Sequence, residues 1–176
     1  MKLNDKIKSA IRDIPDFPKP GIMFKDITPI FLNQSLCDEI TDAFCKPFVS
    51  KKPDAIIGIE SRGFLFGMLM ANKLGVPFVM VRKVGKLPYK TISQEYSLEY
   101  GTAKIEMHED VLQKNWNVVI HDDLLATGGT AEAAAQLVKK SGANVTSFNF
   151  VVELDFLKGK ERLQTHTNNI QCLVHY

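Results

Sequence analysis

The sequence predicts an α/β fold built on a central, mostly parallel sheet flanked by helices, and two observations carry that prediction. Apolar runs without internal alternation (Ala55–Ile59, Pro77–Val81, Val118–Ile120, Val145–Val152) are interleaved with helical stretches (Phe64–Leu74, Thr130–Lys140). This is the pattern of parallel strands buried on both faces. The third run ends in two carboxylates, Asp122 and Asp123, and a glycine-bearing turn then opens the next helix.

Taken in order, Leu3, Ile7, Ala10, Ile11 and Ile14 recur at helical spacing until Pro15. Phe17-Pro18-Lys19-Pro20-Gly21 reads as a shaped loop, because two prolines fix φ and remove donors. A second helix is expected from Asn33, with Leu36, Ile40 and Phe44 on one face before Pro47. The polar segment from Lys83 to Tyr100 reads as a long loop, followed by a strand at Ala103–Met107. Gly142 closes the Thr130–Lys140 helix.

A chain of 176 residues fits one domain, spanning 1–176. Apolar residues at 45% and charged residues at 24% are ordinary globular usage. The formal charge of +2 is too small for a general nucleic-acid binder. The longest uncharged, mostly apolar run, Gly63–Ala71, is far too short to span a bilayer, so no membrane role and a cytoplasmic location are expected. Cys37, Cys45 and Cys172 form no C-x-x-C, and read as reduced, packed thiols rather than a disulfide framework or a zinc site.

The strongest chemical signal is Val118 to Thr130. Backbone N–H groups at a helix N-terminus are unpaired and partly positive, so the turn Ala126-Thr127-Gly128-Gly129-Thr130 suits a phosphate monoester. Thr127 and Thr130 add hydroxyl donors. Asp122 and Asp123 would repel that phosphate, yet they can accept hydrogen bonds from a vicinal diol. Together these describe a site for a ribose 5-phosphate. Successive strand residues face opposite ways, so one of the two acids can instead brace the loop. Neither G-x-G-x-x-G nor a Walker loop is present.

These residues resemble the phosphoribosyl pyrophosphate motif of the type I phosphoribosyltransferase family. The likeness extends over Phe17–Gly21, Asp26–Pro29, Glu60–Phe64, Tyr96–Gly101 and Asp122–Thr130, and the first and fourth of these stretches resemble its adenine-specific members. The resemblance implies that family's fold, with an N-terminal base-binding hood over about residues 1–34 and a mobile active-site loop over about 85–100. It implies transfer of the 5-phosphoribosyl group from phosphoribosyl pyrophosphate to adenine, giving AMP and pyrophosphate in purine salvage. Magnesium would enter mainly with the substrate, without direct protein ligands, and the chain would be a homodimer.

By the same resemblance, Ser61, Arg62, Arg82, Lys83 and Lys86 would serve the pyrophosphate, with a cis bond before Ser61. Met23, Phe24, Lys25 and Arg62 would meet adenine. Glu99 would manage the purine proton, and Tyr100 would close over the ribose. Lys90 belongs to the same basic cluster. Cations and carboxylates are thus expected to be segregated, one set for pyrophosphate and Asp122/Asp123 for sugar. His121 reads as a core histidine, and His108, His166 and His175 receive no role. The alternatives are a 6-oxopurine transferase and a non-catalytic sensor of phosphoribosyl pyrophosphate.

Overall fold

The computed structural model describes residues 1–97 and 101–176. Its elements are α1 (Leu3–Ala10), β1 (Arg12–Pro15), β2 (Met23–Asp26), α2 (Gln34–Cys45), β3 (Ala55–Ile59), α3 (Gly63–Leu74), β4 (Phe78–Lys83), β5 (Thr91–Ser97), β6 (Thr102–His108), β7 (Asn117–Leu125), α4 (Gly129–Lys140), β8 (Asn144–Glu153), α5 (Gly159–Leu163) and β9 (Ile170–His175). Seven strands form one sheet in the order β5-β6-β4-β3-β7-β8-β9, and β1 and β2 form a separate antiparallel ribbon. The run from β4 to β9 through β3, β7 and β8 is parallel, while β5 and β6 are antiparallel additions at one edge.

Period-two alternation divides the core. Ile57, Val118 and Ile120 pack with Ala131, Ala134 and Leu137 of α4, whereas Ile56 and Val119 pack with α2 and α3 through Ile40, Phe44, Phe66 and Met70. Small alanines let α4 lie close to its face of the sheet. Asn33 caps α2 by accepting from the Leu36 N–H at 3.1 Å.

Three expectations need correction. The helix expected up to Ile14 stops at Ala10, and Arg12–Pro15 becomes β1, with Ile14 opposite Phe24. Pro15 is tolerated because it sits at the end of a two-stranded ribbon, where a missing donor disrupts no inner ladder. The loop expected over 85–100 is, from Thr91 to Ser97, strand β5, in ladder with β6. Finally, Ile170–His175, which carries no clear strand pattern, forms β9 and closes one edge of the sheet beside β8. The cysteines are free, as expected.

Candidate active site

Strand β7 runs to Leu125, so Asp122 and Asp123 lie inside the strand rather than in a turn, and they diverge. Asp123 is 5% exposed and ion-pairs through Oδ2 with Arg62 Nε. Asp122 Oδ1 accepts from the Asp123 N–H at 2.8 Å. Burial and the neighbouring Asp123 charge push the Asp122 carboxyl well above the usual carboxylate range. The expected segregation of charge is therefore corrected: the cation Arg62, in the turn after β3, is joined to the carboxylate Asp123 of the adjacent strand β7.

Arg62 precedes α3, and the Glu60–Ser61 peptide before it is cis. Burial opposes the Arg62 charge, but Asp123, Asp122 and Asp26 around it raise its pKa above the ordinary value. Its guanidinium carbon lies 5.4 Å from the Phe24 ring centroid, so one side chain links the ribbon to β7. The start of α3 can approach β7 because residue 63 is glycine: a β-carbon there would lie 2.8 Å from the His121 carbonyl oxygen and 2.9 Å from Asp122 Oδ1.

The turn after β7 places Gly128 at φ +80° as the N-cap of α4, and no side chain caps that helix. The first amides of α4 are thus left for an anion. A β-carbon on Gly128 would meet the Gly159 carbonyl oxygen at 2.8 Å, and one on Gly159 would meet the Ala126 carbonyl oxygen at 2.2 Å. Two glycines thirty-one positions apart allow this turn to be backed by the start of α5. Thr127 is exposed, and Thr130 Oγ1 lies 3.3 Å from the Tyr96 hydroxyl.

A cavity of about 370 Å³ opens at the ends of β3, β4 and β7, lined in part by Glu60, Ser61, Arg62, Lys83, Tyr96, Asp122, Asp123 and Thr130. A smaller space of about 70 Å³ adjoins it over residues 124–131. Ser61, Arg62, Lys83, Asp122, Asp123 and the 126–130 turn are therefore brought together. Met23, Phe24 and Lys25 lie on β2, with only Phe24 linked to the cavity, through Arg62. Lys25 is turned away, its Nζ 2.7 Å from Asp13.

Arg82 and Lys86 do not line the cavity. Arg82 donates from Nε to Glu60 Oε2 at 3.1 Å and from a terminal nitrogen to the Lys86 carbonyl at 3.1 Å. The turn after β4 wraps around Glu106, whose Oε1 accepts from the N–H groups of Gly85, Lys86 and Leu87 at 3.0, 3.1 and 3.0 Å. Lys90 approaches Glu109 at 3.9 Å. Glu99 and Tyr100 lie outside the described residues.

His121 is fully buried against Phe44 and Phe66, and among the described residues neither ring nitrogen finds a hydrogen-bonding partner. Burial lowers its pKa to about 4, so it is a neutral core residue, as the sequence implies. Glu60, Tyr96 and Glu106 escaped the sequence reading as site residues. Tyr96 and Glu106 sit in strands of mixed polarity, and only their tertiary partners reveal their place. Among the described residues, the cluster of His and carboxylates close enough to share a cation is Glu153, Asp155 and His175, none of which lines the cavity.

A model of the phosphoribosyl transferase domain matches residues 30–174. An adenine phosphoribosyltransferase of Cytophaga hutchinsonii is 51% identical over 174 residues, covering 99% of this chain and 96% of the relative. The adenine phosphoribosyltransferase of Saccharomyces cerevisiae, solved with an imino-altritol bisphosphate and adenine, is 43% identical with a TM-score of 0.91, covering 98% of each chain. That of Trypanosoma brucei, solved with AMP, pyrophosphate and ribose-5-phosphate, is 29% identical with a TM-score of 0.89, covering 98% of this chain and 79% of the other.

Proposed function

The chain belongs to the phosphoribosyl transferase family, and from that membership we propose that it transfers the 5-phosphoribosyl group from phosphoribosyl pyrophosphate to adenine, forming AMP and pyrophosphate. The observation that carries the reading is the convergence, in one cavity, of two carboxylates on β7, the uncapped start of α4 and an arginine stacked on Phe24. The relatives reported above are named for adenine, so a 6-oxopurine transferase or a ligand sensor is not favoured.

In this mechanism the amides of Gly128, Gly129 and Thr130 hold the 5-phosphate, with the Thr127 and Thr130 hydroxyls, and Ala126 shapes the turn. Asp122 and Asp123 accept from the ribose diol. Phe24 and Arg62 form a wall for the purine, and the Met23 backbone reads its edge. Adenine N9 bonds to C1 of the ribose as the C1–oxygen bond to pyrophosphate breaks. Ser61, Arg62 and Lys83 receive the departing charge at the cavity, and donors preorganised in this way supply most of such barrier lowering. Arg82 on β4 and Lys86 in the turn after it act from beside the cavity, Arg82 by fixing Glu60 and the Lys86 backbone. The N9 proton passes to Glu99, while Tyr100 covers the ribose. Magnesium would enter mainly bound to the pyrophosphate, where it would neutralise leaving-group charge. Glu60 and Asp123 at the cavity are already paired with Arg82 and Arg62, which fits an ion that would be held mainly by the substrate's own phosphate oxygens.

The base-binding hood is about residues 1–34, within a single domain, and the loop over the site includes the turn after β4 that leads into β5. Leu65, Met68 and Leu69 form an exposed apolar stripe at helical spacing on α3, which supports a homodimer. No helix among the described residues is long and apolar enough to cross a membrane, in keeping with a cytoplasmic enzyme. Adenine, phosphoribosyl pyrophosphate and magnesium mixed with the protein are expected to yield AMP, with adenine outcompeting hypoxanthine and guanine. Absence of AMP from folded protein refutes the assignment. Glu99→Leu is expected to lower kcat while sparing phosphoribosyl pyrophosphate binding.

A further inference from the structure

The β1–β2 ribbon that carries Met23 and Phe24 pairs with no strand of the main sheet among the described residues. A two-stranded ribbon with four residues a side is marginal by itself, so side chains have to fix its orientation. Phe24 and Lys25 are neighbours on β2 and point to opposite faces. The Phe24 face meets Arg62. The Lys25 face meets Tyr176.

Lys25 stands opposite Asp13 in the ribbon's ladder, with Nζ 2.7 Å from Asp13 Oδ1 and 4.0 Å from the centroid of the Tyr176 ring. The Lys25 side chain is only 11% exposed, so its charge has lost most of its water and relies on the carboxylate and the aromatic face. Tyr176 itself is anchored to the main sheet. Its N–H donates to the Glu153 carbonyl at 3.0 Å, and its carbonyl accepts from the Asp155 N–H at 2.9 Å. Lys8 of α1 approaches the same ring at 5.1 Å. One aromatic side chain rooted beside β8 therefore touches both the ribbon and α1, the helix that leads into it.

We propose that Tyr176 is a positioning residue for the purine site: by seating the Lys25 ammonium, it sets the ribbon's place over Arg62, and with it Phe24 and the Met23 backbone. The proposal rests on the reading of the ribbon as the base-binding hood. It gives Lys25 a different part from the direct adenine contact expected of it. Without the ring, the ribbon is free to rock, the fraction of molecules ready for adenine falls, and apparent affinity falls with it. The phosphoribosyl pyrophosphate site, built on β3, β7 and α4, is untouched.

The test compares Tyr176→Leu with Tyr176→Phe, which keeps the aromatic face. The Leu variant is expected to raise KM for adenine by about 3- to 10-fold, the size of one partly desolvated cation–π contact, with kcat and KM for phosphoribosyl pyrophosphate unchanged. The Phe variant should match the parent. Hydrogen–deuterium exchange on the same proteins should quicken over residues 12–26 in the Leu variant alone, with β3, β7 and β8 unaffected. An unchanged adenine KM, an unchanged ribbon exchange, a fall in kcat together with a rise in both KM values, or a Phe variant as impaired as Leu overturns the proposal. If the parent protein makes no AMP, the functional reading fails, and the exchange comparison alone decides the clamp.

Discussion

Arg62 and Asp123, sixty-one positions apart in sequence, are ion-paired between the end of β3 and the end of β7. The pair fixes the guanidinium that faces Phe24, so the carboxylate proposed for the sugar also orients the proposed purine wall. Asp123→Asn is expected to raise KM for adenine as well as for phosphoribosyl pyrophosphate. Stability should decline by about 1–2 kcal/mol, less than for a fully buried pair because solvent screens the half-exposed Arg62. Steady-state kinetics and urea unfolding measure both.

Asp122 joins a proposed part in ribose binding to a stability loss. Its folded pKa is raised, so its contribution is fully present below the unfolded value and is lost as pH rises through the folded one. Ionising this carboxyl beside Asp123 as pH rises therefore weakens the fold. Asp122→Asn keeps an oxygen for the Asp123 N–H while removing the charge. Its thermal midpoint should rise by about 2–4 °C per kcal/mol recovered. KM for phosphoribosyl pyrophosphate should increase about tenfold, because the carboxyl proposed to accept from the diol is exchanged for an amide, which offers one oxygen in place of two.

His121 supplies an acid-sensitive element. With a folded pKa of about 4 against an ordinary 6.5, its stabilising contribution is complete above pH 6.5 and is lost as pH falls toward 4. That interval corresponds to about 3 kcal/mol at most. His121→Leu removes the titration and leaves no ring nitrogen unpaired. The variant is expected to equal the parent at pH 8 and to exceed it in thermal midpoint at pH 5.

Glu106 ties down the turn that leads from β4. Burial raises its pKa, but the Leu87 N–H, the Thr91 hydroxyl and the Lys86 and Gly85 N–H groups lower it further, leaving it below the ordinary value. Such a depressed carboxylate stabilises above its unfolded pKa, near 4.5, and loses that effect as pH falls through the folded value. Glu106→Gln should destabilise by about 1–2 kcal/mol at pH 7. The gap from the parent should narrow toward pH 4 in denaturant titrations.

The inner strands were legible because burial on both faces leaves a continuous apolar signature: Ala55–Ile59 matches β3 residue for residue, and Val145–Val152 lies within β8. Asp122–Thr130 was legible because its chemistry is local. The edge strand β5 was not, since Thr91-Ile92-Ser93-Gln94-Glu95-Tyr96-Ser97 has few apolar groups and only its ladder with β6 makes it extended. The β1 strand was hidden by helical spacing that runs on to Ile14. Charge pairing was also beyond reach, because nothing local brings Arg62 to Asp123 or Lys25 to Tyr176.

The contact between Gly128 and Gly159 bears on the order in which the molecule assembles. The phosphate turn has its final backing only after the chain has added β8 and returned through residue 159. Closing so distant a contact comes late in folding. A ligand held by that turn therefore recognises the finished fold and little before it. Ribose 5-phosphate is accordingly expected to lengthen the lifetime of the native state against unfolding while leaving the rate of folding nearly unaltered.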